Sequence, residues 1–249
     1  MNNFDFNNNN NAEGVFSQQK RKPLVDVDIQ PLMRTVYAWM VLGLLTTAVI
    51  SFFVSQSPVM VQQASQFMMP TILLQLGLVM GISWGFNKLN PVAAGLLFFL
   101  YAALNGVMFG VIFFAYIAVG EGMAIANAFL TTAGLFGTMT VIGYTTKTDL
   151  SKWGTFLMMG VIGLFIAMIV NMFLGSGIMD FVISVIGVLI FTALTAYDTQ
   201  RIKEMAQQMA GNSDKNLASK LAIMGALKLY LDFINIFLFL LRLFGGGRD

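Results

Sequence analysis

The stretch TVYAWMVLGLLTTAVISFFVSQSPVMVQQASQFMMPTILLQLGLVMGISWGFN, residues 35–87, contains no Asp, Glu, Lys or Arg. A charge-free run of this length holds two membrane crossings of ~20 residues each. A helix packed in a water-soluble domain could not sustain it, because its outer face has to be polar. The crossings are expected at residues 36–55 and 70–86, with the polar segment 56–66 between them. Five further apolar runs follow, at residues 92–119, 123–144, 154–174, 179–197 and 221–244. The chain therefore reads as an all-α membrane protein with seven transmembrane helices.

Composition agrees. Of 249 residues, 57% are hydrophobic and 10% charged, where a soluble domain carries about 25% charged residues. The net charge of +2 is small and its basic residues stand between apolar runs, so no nucleic acid is expected as a partner. The lipid bilayer is the expected surrounding. There is no Cys and no His, which removes disulfides, thiol chemistry, His-ligated metals and Ser-His hydrolysis. Residues 1–11 are a near-pure Asn tract, and Lys20, Arg21 and Lys22 follow it. Residues 1–34 are read as a disordered cytosolic arm and residues 35–249 as the seven-helix domain.

Orientation comes from the Lys and Arg count. The arm and the even-numbered loops hold Lys20, Arg21, Lys22, Arg34, Lys88, Lys147, Lys152, Arg201, Lys203, Lys215 and Lys220. The other side holds Arg242 and Arg248, and Lys228 lies within a span. By the positive-inside rule the N-terminus is cytosolic, and seven spans put the C-terminus outside. Gly77, Gly81 and Gly85 on the second span, and Gly106 with Gly110 on the third, are spaced for close helix packing in lipid.

Ionisable residues at membrane depth are where function is expected. Asp198 closes the sixth span and Asp232 lies within the seventh. Lys228, Asp232, Asn235, Phe239 and Arg242 follow at steps of four and three, and so share one helix face. That stripe should turn toward the bundle interior. Ser184, Gly187, Phe191 and Asp198 form a comparable stripe on the sixth span, with Thr195 beside it. If Lys228 reaches the cytosolic boundary, Asp232 lies one turn deeper, ~6 Å in. Close carboxylates tend to share a proton, so that the pair ionises in two separate steps. When ionised they are hard oxygen ligands for a divalent cation. The bland alternative is that Lys228 neutralises Asp232, four residues on, while Asp198 is an interfacial residue beside Arg201.

The segments YDTQ (197–200) and LYLDFIN (229–235) resemble the signature segments of the transmembrane Bax-inhibitor-motif family, in its bacterial branch; YAALNG (101–106) is similar to it as well. The resemblance spans residues 30 to 245. It implies six helices surrounding a central C-terminal seventh, in a multi-pass protein of the bacterial inner membrane. It also implies a pH-sensitive Ca²⁺ leak with Asp198 and Asp232 as ion and proton gate, and as the oxygen ligands of the passing metal. The family's basic latch near the cytosolic end of the second helix would fall on Lys88. Lys228, Asn235 and Thr195 are the other candidate latch or supporting residues.

Ca²⁺ is then the permeant ion, no tightly bound cofactor is expected, and the chain is not expected to be an enzyme. The alternative is a membrane interaction protein that modulates a membrane protease or a stress response, with the Asp pair structural. A retinal-binding protein using Lys228 as Schiff-base amine is disfavoured by the shallow position of Lys228 and the predicted N-in orientation. An intramembrane aspartyl hydrolase is weaker still, since no Gly-Asp motif surrounds either carboxylate.

Overall fold

A computed structural model describes residues 29–85, 89–209 and 214–246, the side chains of 83–85 excepted. The arm up to residue 28 and Lys88 lie outside the described residues. The order is α1 (Gln30–Ser55), α2 (Pro58–Gln66), α3 (Met68–Gly85), α4 (Pro91–Ala118), α5 (Gly122–Thr145), a 3₁₀ turn (Ser151–Trp153), α6 (Gly154–Leu174), α7 (Gly177–Gln208) and α8 (Lys215–Gly245). Six of these helices are each long and apolar enough to cross a bilayer. Taken together as one span, the bent pair α2–α3 passes the same test, which brings the candidate crossings to seven.

Several helix ends fall elsewhere than expected, each for a local reason. The polar segment at 56–66 is mostly helical: Pro58 opens α2 and the Ser57 side chain caps it by accepting from the Met60 amide. The break to α3, a 67° bend, follows from Pro70. It has no N–H to donate to Gln66, and its ring would collide with that carbonyl. The first helix begins at Gln30, with Pro31 in its first turn. Asp214 caps α8 by accepting from the Asn216 and Leu217 amides. At 32 residues, α7 runs ten residues beyond Asp198. At ~48 Å it is longer than a hydrocarbon core is thick, so its last turns stand in or beyond the headgroups.

The C-terminal helix is central. It packs on α1, α4, α5 and α7, and its middle, from Ala226 to Leu241, is buried apart from residues such as Lys228 and Asn235 that are partly covered. The enclosure differs in one respect from six helices around a seventh. The main contacts of α3 are with α4, and those of α6 are with α7, so these two form an outer layer.

Glycines set two close approaches between helix backbones. Gly106 and Gly110 let α4 lie on α1: a Cβ at Gly106 would stand 2.8 Å from Ile50 and 2.9 Å from the Thr47 carbonyl, and one at Gly110 would strike Val54. Gly143 lets α5 lie on α7, where a Cβ would strike the Ala196 carbonyl. Gly77 and Gly81 do not act this way. A Cβ at either meets nothing within 4 Å, so the expected ridge on the second span faces outward.

Candidate functional site

The two stripes read from the sequence face one another. Phe239 of α8 packs on Gly187, where a Cβ would come within 2.6 Å of its ring, and it stacks on Phe191 at 6.0 Å. Toward one end of this seam Arg242 lies 3.9 Å from Asp180. Toward the other, Lys228 Nζ donates to Asp198 Oδ1 at 3.1 Å. Thus α7 and α8 run antiparallel with matched polar residues at both ends and an aromatic contact between. The stripe is not the sole buried face of α8, however. Phe233, Ile236, Phe237 and Leu240, on the other faces, are 6% exposed or less, because a central helix is covered all round.

Asp198 is 8% exposed and Asp232 4%. From the level of the Phe239–Gly187 contact, Asp198 is ~16 Å toward the basic end and Asp232 ~10 Å, at 1.5 Å per residue. Asp232 therefore lies about one turn deeper. Its charged neighbours are Asp198 and Lys228, and its Oδ2 has no hydrogen-bond partner. Lys228 thus pairs with Asp198 across the seam rather than with Asp232, four residues on along its own helix. The Lys228 side chain is 43% exposed, so it spans from the interface inward. Arg201 pairs with Glu204 at 3.3 Å, not with Asp198.

The supporting candidates sort by where their hydrogens go. Thr195 donates to the Phe191 carbonyl at 2.9 Å, and Asn235 donates to the Leu231 carbonyl at 2.7 Å. Both are bonds back along their own helices, leaving Lys228 as the one candidate seen to hold a carboxylate of the pair. Among the described residues no group of three or more Asp or Glu side chains gathers to hold a metal.

Residues that the sequence reading missed surround this seam. Tyr230 and Thr47 share a 2.7 Å hydroxyl contact between α8 and α1, and Thr47 donates also to the Ala102 carbonyl. Tyr230 stands in the quoted LYLDFIN segment, but nothing in its spacing named Thr47, 183 residues away. Two residues past Asp198, the Gln200 side chain accepts from the Leu150 amide at 2.7 Å and donates to the Thr148 carbonyl at 2.8 Å. This fixes the α5–α6 loop on α7. In that loop Asp149 accepts from the Ser151 hydroxyl and amide, which hold its carboxyl below the usual carboxylate range. Lys203 donates to the Tyr144 carbonyl at 2.7 Å, satisfying the last turn of α5.

Two cavities open between α1 and α5, which rest side by side on α8 with little direct packing. The larger, about 480 Å³, lies toward the end away from Asp198 and is walled by Leu44, Phe113, Phe129 and Phe237, with Thr47 and Ser51 on one side. The smaller, about 290 Å³, lies at the Arg34–Tyr144 end.

Known proteins place this architecture. The family model "Inhibitor of apoptosis-promoting Bax1" matches residues 29–249. The inner membrane protein YbhL of Escherichia coli is 43% identical over 223 residues, covering 88% of this chain and 93% of that protein. Proteins of Deinococcus radiodurans and Borreliella burgdorferi, both described as uncharacterized, are each 42% identical over 89% and 94% of this chain, and 92% and 98% of their own. The match takes in every described helix and both Asp-bearing segments, and the chain belongs to the Bax inhibitor family of integral membrane proteins.

Proposed function

We propose that the chain is a pH-sensitive cation leak of the bacterial inner membrane, with Ca²⁺ as its permeant ion and the Asp198–Asp232 pair as its gate. The observation that carries this reading is Asp232: a carboxyl on the central helix, 4% exposed, with one oxygen unpartnered and a second carboxyl one turn away. Ionisable groups at such depth are costly in lipid and mark ion and proton pathways.

In the closed arrangement Lys228 holds Asp198 and a proton on the pair limits its charge. As pH rises and the pair ionises fully, repulsion favours separation of α7 from α8 and leaves oxygens for a cation. At one helix turn of separation and an effective dielectric of ~20, that repulsion is about 2–3 kcal/mol. Moving a gate from mostly closed to mostly open takes ~5 kcal/mol, so the carboxylates alone do not suffice. Exchange of the Lys228 ammonium for a divalent cation at Asp198 would supply a further part.

The test is Ca²⁺ flux in proteoliposomes across pH for the wild type, Asp198→Asn and Asp232→Asn. Either substitution should flatten the pH dependence, whichever way the absolute rate moves. If both keep the wild-type profile the gate reading fails. The chain would then be read as a membrane interaction protein, acting on a membrane protease or in a stress response, with its Asp pair structural.

A further inference from the structure

The smaller cavity between α1 and α5 combines features that a lipid-filled crevice would not need. Its walls include Gln30, Arg34 and Tyr37 of α1 and Thr140, Tyr144 and Thr145 of α5. Arg34 and Gln30 form its polar rim, hydrogen bonded to one another at 3.3 Å. The hydroxyl of Tyr37, on its wall, comes near enough to those of Thr140, also on the wall, and of Thr199 behind it to interact. None of the three makes a well-formed hydrogen bond, although each oxygen is buried. Thr199, on α7, is fully buried. Buried hydroxyls without partners are costly, and three that converge give a water molecule the two to four polar partners it needs.

We propose that this cavity is a water-filled access pocket, holding an ordered water between Tyr37, Thr140 and Thr199, that brings solvent to the α7 turn carrying Asp198. Thr199 is the residue after Asp198, so water held there stands within one helical turn of the gate. The polar rim at Arg34 and Gln30 opens at the same end as Arg201 and Lys203, toward headgroups and solvent. Tyr37 is one turn inward from Arg34, a depth of ~5 Å, which solvent reaches without crossing hydrocarbon. An acyl chain in the same space would offer none of the three hydroxyls a partner. The role given to Asp198 rests on the leak reading; the hydration of the pocket does not.

Hydroxyl-radical footprinting of the unmodified chain in nanodiscs tests it directly, since radicals form only where water stands. Tyr37 should be labelled at least tenfold faster than Tyr230, which is fully buried in the bundle. Equal protection of the two would overturn the proposal. The absence of Cys allows a second measurement. Thr140→Cys should react with a charged methanethiosulfonate at least tenfold faster than Ile142→Cys, which sits at similar depth on α5 but does not line the pocket. Similar rates would also overturn it. Neither readout involves flux, so a wet pocket alongside pH-independent flux in the Asp variants would sink the gate and leave the pocket standing.

Discussion

Helices α6 and α8 invert what a soluble protein teaches. The α6 span has the higher mean hydropathy, 2.4 against 1.8 over the most apolar windows, yet 11% of its window is buried against 72% for α8. Among the residues of α6 none is charged, while α8 carries Lys215, Lys220, Lys228, Asp232 and Arg242. In water the apolar helix would go inside. In lipid the outside is already hydrocarbon, so it is the helix with groups needing partners that is enclosed. Packing then comes from close backbone approach and polar contacts rather than from the segregation of apolar residues, and substitutions should hurt accordingly.

The comparison breaks most readily at the glycines. Gly110→Leu should cost about 3 kcal/mol or more, since its side chain would be driven into Val54 and hold α4 off α1. Gly163→Leu on α6, where a Cβ meets nothing within 4 Å, should change stability by less than about 0.5 kcal/mol. Reversible unfolding in detergent measures both, and similar costs would remove the distinction between enclosed and outer helices.

A middling effect is expected at the seam. Lys228→Met leaves Asp198 without its partner, and the half-exposed lysine places the loss at about 1–2 kcal/mol, below that of a fully buried pair. The protein should still fold and conduct. Adding Asp198→Asn should recover much of the stability, and strictly additive losses would mean that the two residues do not interact. Complete loss of flux in a well-folded Lys228→Met protein would place the lysine among the residues the ion needs.

The smallest effect sharpens the picture within α8 itself. Tyr230→Phe removes the hydroxyl contact with Thr47, but Thr47 keeps the Gly43 and Ala102 carbonyls as acceptors. The expected loss is about 0.5–1 kcal/mol, in line with interhelical hydrogen bonds in membranes. A loss several times larger would mean that the hydroxyl network, and not aromatic packing, orders the centre of the bundle.

Much of this was legible because charge is scarce. The gaps between charges located the spans, and the ionisable residues at membrane depth singled out Asp198 and Asp232, where the family resemblance also falls. What could not be read depends on neighbours from other helices. Gly77–Gly81 and Gly106–Gly110 have the same spacing, yet one ridge faces outward and the other seats α1, and spacing carries no sign of which. Lys228 lies four residues before Asp232, which invited an intrahelical pair. In the folded chain it reaches Asp198 on α7 instead, a partner that only the packing of two helices supplies. The polar segment 56–66 reads only as a gap between two spans, whereas Ser57 and Pro58 start a short helix there and Pro70 ends its continuity with α3. Tyr37, Thr140 and Thr199 lie on three separate helices and had no common signal in the sequence.

The Gln200 clamp has a mechanical consequence. Within eight residues of the α5–α6 corner, three ties join α5 and the loop after it to α7: Gly143 seated against Ala196, Lys203 bonded to the Tyr144 carbonyl, and Gln200 gripping Thr148 and Leu150 of the loop. Two helices pinned at three points on one side cannot slide or rotate independently there; they move as a single plate. Any displacement of Asp198 away from Asp232 would then carry α5 and its loop along, against a seam with α8 held by Lys228 on Asp198, Arg242 beside Asp180, and Phe239 on Gly187 and Phe191. On the leak reading, a fluorophore on the α5–α6 loop would report the movement of Asp198.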